Sequence, residues 1–117
     1  PDPTAFIAFK DASGADSHFR GGALSKQVLM GTQGIGAAID DGLLNIAFRV
    51  QGFETVFYDA MGNAVPYKSQ GADFTDQQRG QMRSLARNKR FYITNIRATG
   101  PDGVERTLSG AMEVIVR

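Results

Sequence analysis

The sequence predicts a mainly β domain, a β-sandwich of the immunoglobulin-like or a related type, with about seven to nine short strands and one helix. Three observations carry that expectation. Apolar and polar residues alternate with a period of two across residues 43–58. Turn signals rich in Gly, Asp and Asn recur at spacings of roughly ten residues. Only residues 76–87 combine helical spacing with a start signal.

Residues 4–9 (Ala5, Phe6, Ile7, Ala8, Phe9) are a short apolar run with strand character. Residues 11–22 are polar and glycine-rich and read as a loop. Residues 26–30 and 35–39 read as two further short strands around Gly31-Thr-Gln-Gly34, and Asp40-Asp41-Gly42 as a tight turn. In the long strand that follows, Leu44, Ile46, Phe48 and Val50 share one face. Gly52 interrupts, and then Phe53, Thr55 and Phe57 share a face. A glycine inside a strand pattern marks a bulge or bend, so the segment reads as one long strand kinked near Gly52 or as two strands. Asp59-Ala-Met-Gly-Asn63 returns the chain as a hairpin into residues 64–69. Pro66 has no N–H to donate, so that strand belongs at an edge or is irregular.

The helix opens on a capping box, with Thr75 as N-cap and Gln78 reaching back to it. Met82, Leu85 and Ala86 form its inward stripe, joined by Phe74. Gly80 weakens it by about 1 kcal/mol relative to Ala, and Asn88 is the expected stop. A β-meander closes the chain: residues 91–98, the turn Gly100-Pro-Asp-Gly103, residues 104–108, and residues 111–117 with Met112, Val114 and Val116 inward.

Composition narrows the function. A chain of 117 residues, 42% hydrophobic and 21% charged, is sized and composed for one globular domain, residues 1–117. Thirteen Lys and Arg against twelve Asp and Glu give a formal charge of +1, which offers no electrostatic case for nucleic acid. No apolar run approaches the roughly 18 residues of a membrane span. The absence of cysteine excludes a disulfide framework, thiolate metal sites and a cysteine nucleophile. The start Pro1-Asp2-Pro3 reads as that of a mature or excised segment.

No catalytic, cofactor or metal site is expected. His18 is the only histidine, and with Ser13, Ser17 or Asp16 it could at most sketch a Ser–His–Asp system from an exposed loop. Asp40 and Asp41 are adjacent, and Glu54 and Glu113 lie on strands, so a glycosidase carboxylate pair does not emerge. Asp11, Asp16 and Asp73 match no EF-type calcium loop. The run from Gly31 to Gly36 lacks both the third glycine of a dinucleotide fingerprint and the Lys-Ser/Thr of a P-loop, and reads as a β-turn. The feature that invites a partner is basic. Arg79, Arg83 and Arg87 recur every four residues, extended by Lys89 and Arg90, as a stripe that could dock an acidic partner. An exposed edge strand is the other candidate surface.

Several segments in order carry a family resemblance: Pro-Asp-Pro before an apolar strand, Val50-Gln-Gly-Phe53, Ser69-Gln-Gly-Ala-Asp-Phe-Thr-Asp-Gln-Gln78, Tyr92-Ile-Thr-Asn-Ile96 and Gly100-Pro-Asp-Gly-Val-Glu-Arg-Thr-Leu108. Together they resemble the C-terminal periplasmic domain of the gliding-motility and type IX secretion family GldM/PorM, over nearly the whole chain. The resemblance implies a non-enzymatic component, part of a homodimeric periplasmic arm anchored in the inner membrane. It also implies an inner-membrane partner of GldL/PorL type, reached through an N-terminal part absent here, and outer-membrane-associated ring proteins of PorK/PorN type at the far end. An alternative is a carbohydrate- or peptidoglycan-binding sandwich that uses Tyr58, Tyr67 and Tyr92 as a platform. A third reading is a small hydrolase using His18 or an acid pair.

Overall fold

A computed structural model describes residues 2–40, 42–43 and 45–117. Pro1, Asp41 and Leu44 lie outside the described residues, and with them the middle of the expected 40–42 turn and one apolar position of the long strand. The described residues form nine strands and two helices: β1 (Thr4–Lys10), β2 (Asp16–Phe19), β3 (Gly22–Leu24), α1 (Lys26–Met30), β4 (Gly36–Asp40), β5 (Asn45–Tyr58), β6 (Ala64–Ser69), α2 (Asp76–Ser84), β7 (Arg90–Thr99), β8 (Glu105–Thr107) and β9 (Met112–Val116).

All nine strands join one sheet, whose path runs β2-β1-β4-β5-β7-β9-β3 with β6 on β5 and β8 on β7. In the chain only Arg20 and Gly21 separate β2 from β3, yet these strands occupy the two ends of that path. The sheet therefore rolls round until its ends approach, giving a nearly closed, sandwich-like, mainly β fold.

The long strand is the axis of the sheet. Along it Val50 pairs with Ala98, Gly52 with Arg97 and Glu54 with Thr94. One extra residue on β5 is thus followed by one extra residue on β7, and the register is restored beyond the pair of bulges. Each strand changes its buried face there, from Val50 to Phe53 and Phe57 on β5, and from Ile93 to Ile96 on β7. The bulge at Gly52 is the expected interruption. Its counterpart centres on Asn95, whose φ of +50° places it in the left-handed region. The returning strand β6 pairs only with β5 and carries Pro66, so it is the expected edge.

Inside, Phe57 stacks on Phe91 at 4.9 Å and meets Tyr67 edge-on, while Phe53 meets Phe74 edge-on at 5.7 Å. The glycine-rich segment before β4 is a close backbone approach. The Ile35 N–H donates to the Ala72 carbonyl at 2.9 Å and the Phe74 N–H to the Gln33 carbonyl at 3.0 Å. A Cβ on Gly34 would collide with Ala72, so only glycine fits between them.

Four local expectations are corrected. The closing strands do not form a meander, because β8 and β9 both pair with β7 and not with each other. Residues 26–30 are the helix α1 rather than a strand, because the Ser25 hydroxyl accepts the Val28 N–H at 3.1 Å as an N-cap. Residues 11–22 are not one loop, since β2 and β3 lie within them. The helix α2 stops at Ser84, short of 87, because Leu85 turns extended (φ −69°, ψ 131°). Ala86 is consequently exposed instead of buried, and Asn88 takes a φ of +72° in the turn beyond.

Candidate functional site

The two helices are antiparallel and hold each other by reciprocal contacts. Arg79, in the first half of α2, donates to the carbonyls of Met30 (3.4 Å) and Thr32 at the end of α1. Lys26, the first residue of α1, donates through Nζ to the Leu85 carbonyl at 2.7 Å, at the end of α2. Each cation meets the C-terminal end of the other helix, where carbonyls lack helical partners and the dipole is negative.

This arrangement separates the three arginines singled out by spacing. Arg79 is half-buried and committed to carbonyl groups. Arg83 is exposed in the last turn of α2, and Arg87 is exposed in the turn that follows. They do not form one helical stripe, because the helix ends between the second and the third.

Two further cations join Arg83 and Arg87: Lys89, already expected as an extension of the stripe, and Arg117, which the spacing did not reach. The Asn88 N–H donates to the Val116 carbonyl at 2.7 Å, the Val116 N–H to the Lys89 carbonyl at 2.8 Å, and the Lys26 N–H to the Arg117 carbonyl at 2.8 Å. The turn after α2 is thereby zipped to the end of β9 and to the start of α1, which brings Lys89 and Arg117 to this pole. Both are exposed. None of Arg83, Arg87, Lys89 and Arg117 makes a side-chain hydrogen bond or ion pair. Arg90 nearby is paired with Glu113 at 3.0 Å, and the carboxylate raises the guanidinium pKa further. The sequence signal for Arg117 was absent, because only long-range strand pairing brings it here.

The remaining candidates are occupied by local structure. His18 lies on β2, not in a loop, and its ring stacks on Phe6 at 3.8 Å. The Ser13 and Ser17 hydroxyls donate to Asp11, and Asp16 pairs with Lys10 at 2.6 Å, so these groups do not converge on the imidazole. Tyr67 packs on Phe57, and the Tyr92 hydroxyl donates to Glu113 at 3.0 Å. Tyr58 meets Tyr92 at an interplanar angle of 88°, which is not the flat platform a sugar ring stacks on.

A shallow cleft of about 380 Å³ gathers Glu54, Lys68, Asn95, Arg97 and Thr107 beside the paired bulges. Its charges answer each other: Asn95 donates to Glu54, Lys68 stands opposite Glu54 across the strands, and Arg97 faces Glu105 at 4.0 Å. Among the described residues, no group of three or more His, Cys, Asp or Glu could hold a metal ion. No helix among them is long and apolar enough to cross a membrane.

The family model described as the GldM C-terminal domain matches residues 1–117. No curated protein matches the chain. The family points to gliding motility and type IX secretion, and it is a structural component that is not known as an enzyme. Its members are membrane-anchored proteins with a C-terminal periplasmic domain. With the match spanning the whole chain, on the mainly β fold described above, this protein belongs to the GldM C-terminal domain family.

Proposed function

We propose that this domain is a non-enzymatic docking module of a type IX secretion or gliding machine. It lies in the periplasm, near the outer-membrane end of a homodimeric arm, and connects an inner-membrane motor of GldL/PorL type to outer-membrane-associated ring proteins of PorK/PorN type. The family match over residues 1–117 is the observation that carries this reading. The construction of the domain supports it. A rolled sheet with compensated bulges, and no buried side-chain nitrogen or oxygen left without a partner among the described residues, is suited to transmitting displacement without deforming.

The test is capture from detergent-solubilised envelope with this chain as bait, both as it stands and fused to a dimerising coiled coil. Recovery of outer-membrane ring proteins is expected. Recovery of none by either bait would make the domain a spacer in the arm and end the docking reading.

A further inference from the structure

We infer that the pole formed by the end of α2, the turn after it and the end of β9 is a docking surface for an acidic protein segment, with Arg83, Arg87, Lys89 and Arg117 as its contacts. The inference rests on the docking function proposed above and assigns it a surface and a chemistry.

The distribution of charge carries the argument. The chain is nearly neutral, with thirteen cations against twelve anions, so a one-signed region has to be built by the fold. Four of those cations stand exposed at this pole without an anionic partner. Lys26 and Arg79 lie behind them and neutralise only carbonyl dipoles, not carboxylates. The one acid on α2 is Asp76, at its first residue. Along the helix axis it stands about 10 Å from Arg83, beyond the roughly 8 Å screening length at physiological ionic strength. Glu113 is held by Arg90 and Tyr92. An approaching carboxylate therefore meets uncompensated positive potential here, whereas in the cleft beside Asn95 the charges already answer each other.

The side chains select the class of ligand. Three of the four are arginines, whose planar guanidinium takes a carboxylate through two parallel hydrogen bonds. A membrane surface is the weaker fit. An interfacial helix needs an apolar face to insert beside its basic one, and here the apolar residue of α2, Met82, is 1% exposed and belongs to the core. Nucleic acid would need a basic field extending well beyond one pole.

The experiment measures fluorescence anisotropy of a labelled oligoglutamate peptide titrated with the chain. The parent is compared with Arg83→Glu/Arg87→Glu/Lys89→Glu, with the milder Arg83→Gln/Arg87→Gln, and with a control that matches the charge change of the glutamine pair, Arg49→Gln/Lys68→Gln, at cations of β5 and β6 away from the pole. Expected are binding that weakens with added salt, a loss of about tenfold or more in the triple variant, a smaller loss in the glutamine pair, and little change in the control. Equal losses in pole and control variants would reduce the effect to net charge and overturn the proposal. So would no binding to oligoglutamate beside firm binding to phosphatidylglycerol vesicles, which would assign the pole to a membrane surface. Repeating the envelope capture with the triple variant separates this inference from the docking function. Undiminished recovery of ring proteins would sink the pole alone. Peptide binding lost in the triple variant, with no ring-protein capture by the parent, would retain the acid-binding pole and sink the docking function.

Discussion

Gln78 shows how much one side chain can hold. It is fully buried; Oε1 accepts the Thr75 N–H at 2.9 Å, and Nε2 donates to the Tyr67 carbonyl at 3.1 Å. The Thr75 hydroxyl accepts the Gln78 N–H at 3.1 Å in return. The start of α2 is thus closed on itself and tied to the middle of β6 by a single carboxamide. A carboxylate can keep the first bond and cannot make the second, and it would place a charge against a carbonyl oxygen. Gln78→Glu is expected to destabilise by about 1–3 kcal/mol near neutral pH. A protonated Glu can donate to Tyr67, so the deficit relative to the parent shrinks as the pH falls through that carboxyl's titration. Urea denaturation across this range, with Gln78→Ala as the variant whose deficit does not recover, checks the prediction. A deficit in Gln78→Glu that ignores pH would show that the bond to Tyr67 contributes nothing.

Among the elements, the paired bulges and the tight turns make the clearest predictions. At Asn95 the backbone φ of +50° suits Gly and Asn and opposes a β-branched side chain. Asn95→Val is expected to cost about 1–3 kcal/mol, and Asn95→Gly much less, because the lost bond to Glu54 is exposed. Equal losses in the two variants, measured by thermal unfolding, would mean that the Glu54 contact and not the bulge sets the cost. Three turns share another device, an aspartate whose carboxylate gathers nearby donors. Asp11 is held below the ordinary 3.8 first by the Ser13 hydroxyl and then by the Ala15 N–H. Asp59 is lowered first by the Asn63 N–H and Asp102 first by the Arg106 guanidinium. The native state therefore binds fewer protons than the unfolded chain just below that value. The contribution is present above the unfolded value and is lost as pH falls through the lowered native ones. The triple variant Asp11→Asn/Asp59→Asn/Asp102→Asn should lose less stability than the parent between about pH 4 and about pH 2. Chemical denaturation at both ends of that interval decides it, and parallel losses would acquit these turns. The same elements explain what could be read from sequence. The cap at Thr75, the interruption at Gly52, the turn at Asp59 and the edge at Pro66 are local chemistry, and each was legible. The helix α1 is only five residues long, too short for a period, and its signal reduces to Ser25. The strand β3 is held by a partner far along the chain, as when Gly22 pairs with Val114, so nothing local marks it, while β2 returns on β1 as a local hairpin whose four residues are too few to show a period. For the basic pole, Arg83 and Arg87 were visible as a spacing, while the commitment of Arg79 to α1 and the arrival of Arg117 required the fold.

At the scale of the molecule, the link between β2 and β3 decides whether the chain unfolds as one unit. These strands are neighbours in sequence and opposite ends of the sheet, so the Arg20-Gly21 connection spans the seam where the rolled sheet closes. Beyond it β3 runs parallel to β9, and β9 is paired in turn with β7. On the other side β2 is attached only to β1. The seam depends on backbone geometry that glycine alone adopts easily: Gly21 has a φ of +140° and Gly22 of +112°. A Cβ on Gly21 would reach no closer than 3.7 Å to the Glu113 carbonyl, and one on Gly22 would meet open space. The cost of alanine at either site is therefore conformational strain and not a clash, on the order of 1–3 kcal/mol each. If the seam holds the sheet as one cooperative body, Gly21→Ala/Gly22→Ala lowers the denaturation midpoint with an unchanged slope, since the same surface is still exposed in one step. A reduced slope or a second transition would show that the β1–β2 hairpin detaches by itself. In that case the domain is an open sheet with a loosely attached ribbon, and a displacement applied at one end would be absorbed at the seam before it reached the basic pole.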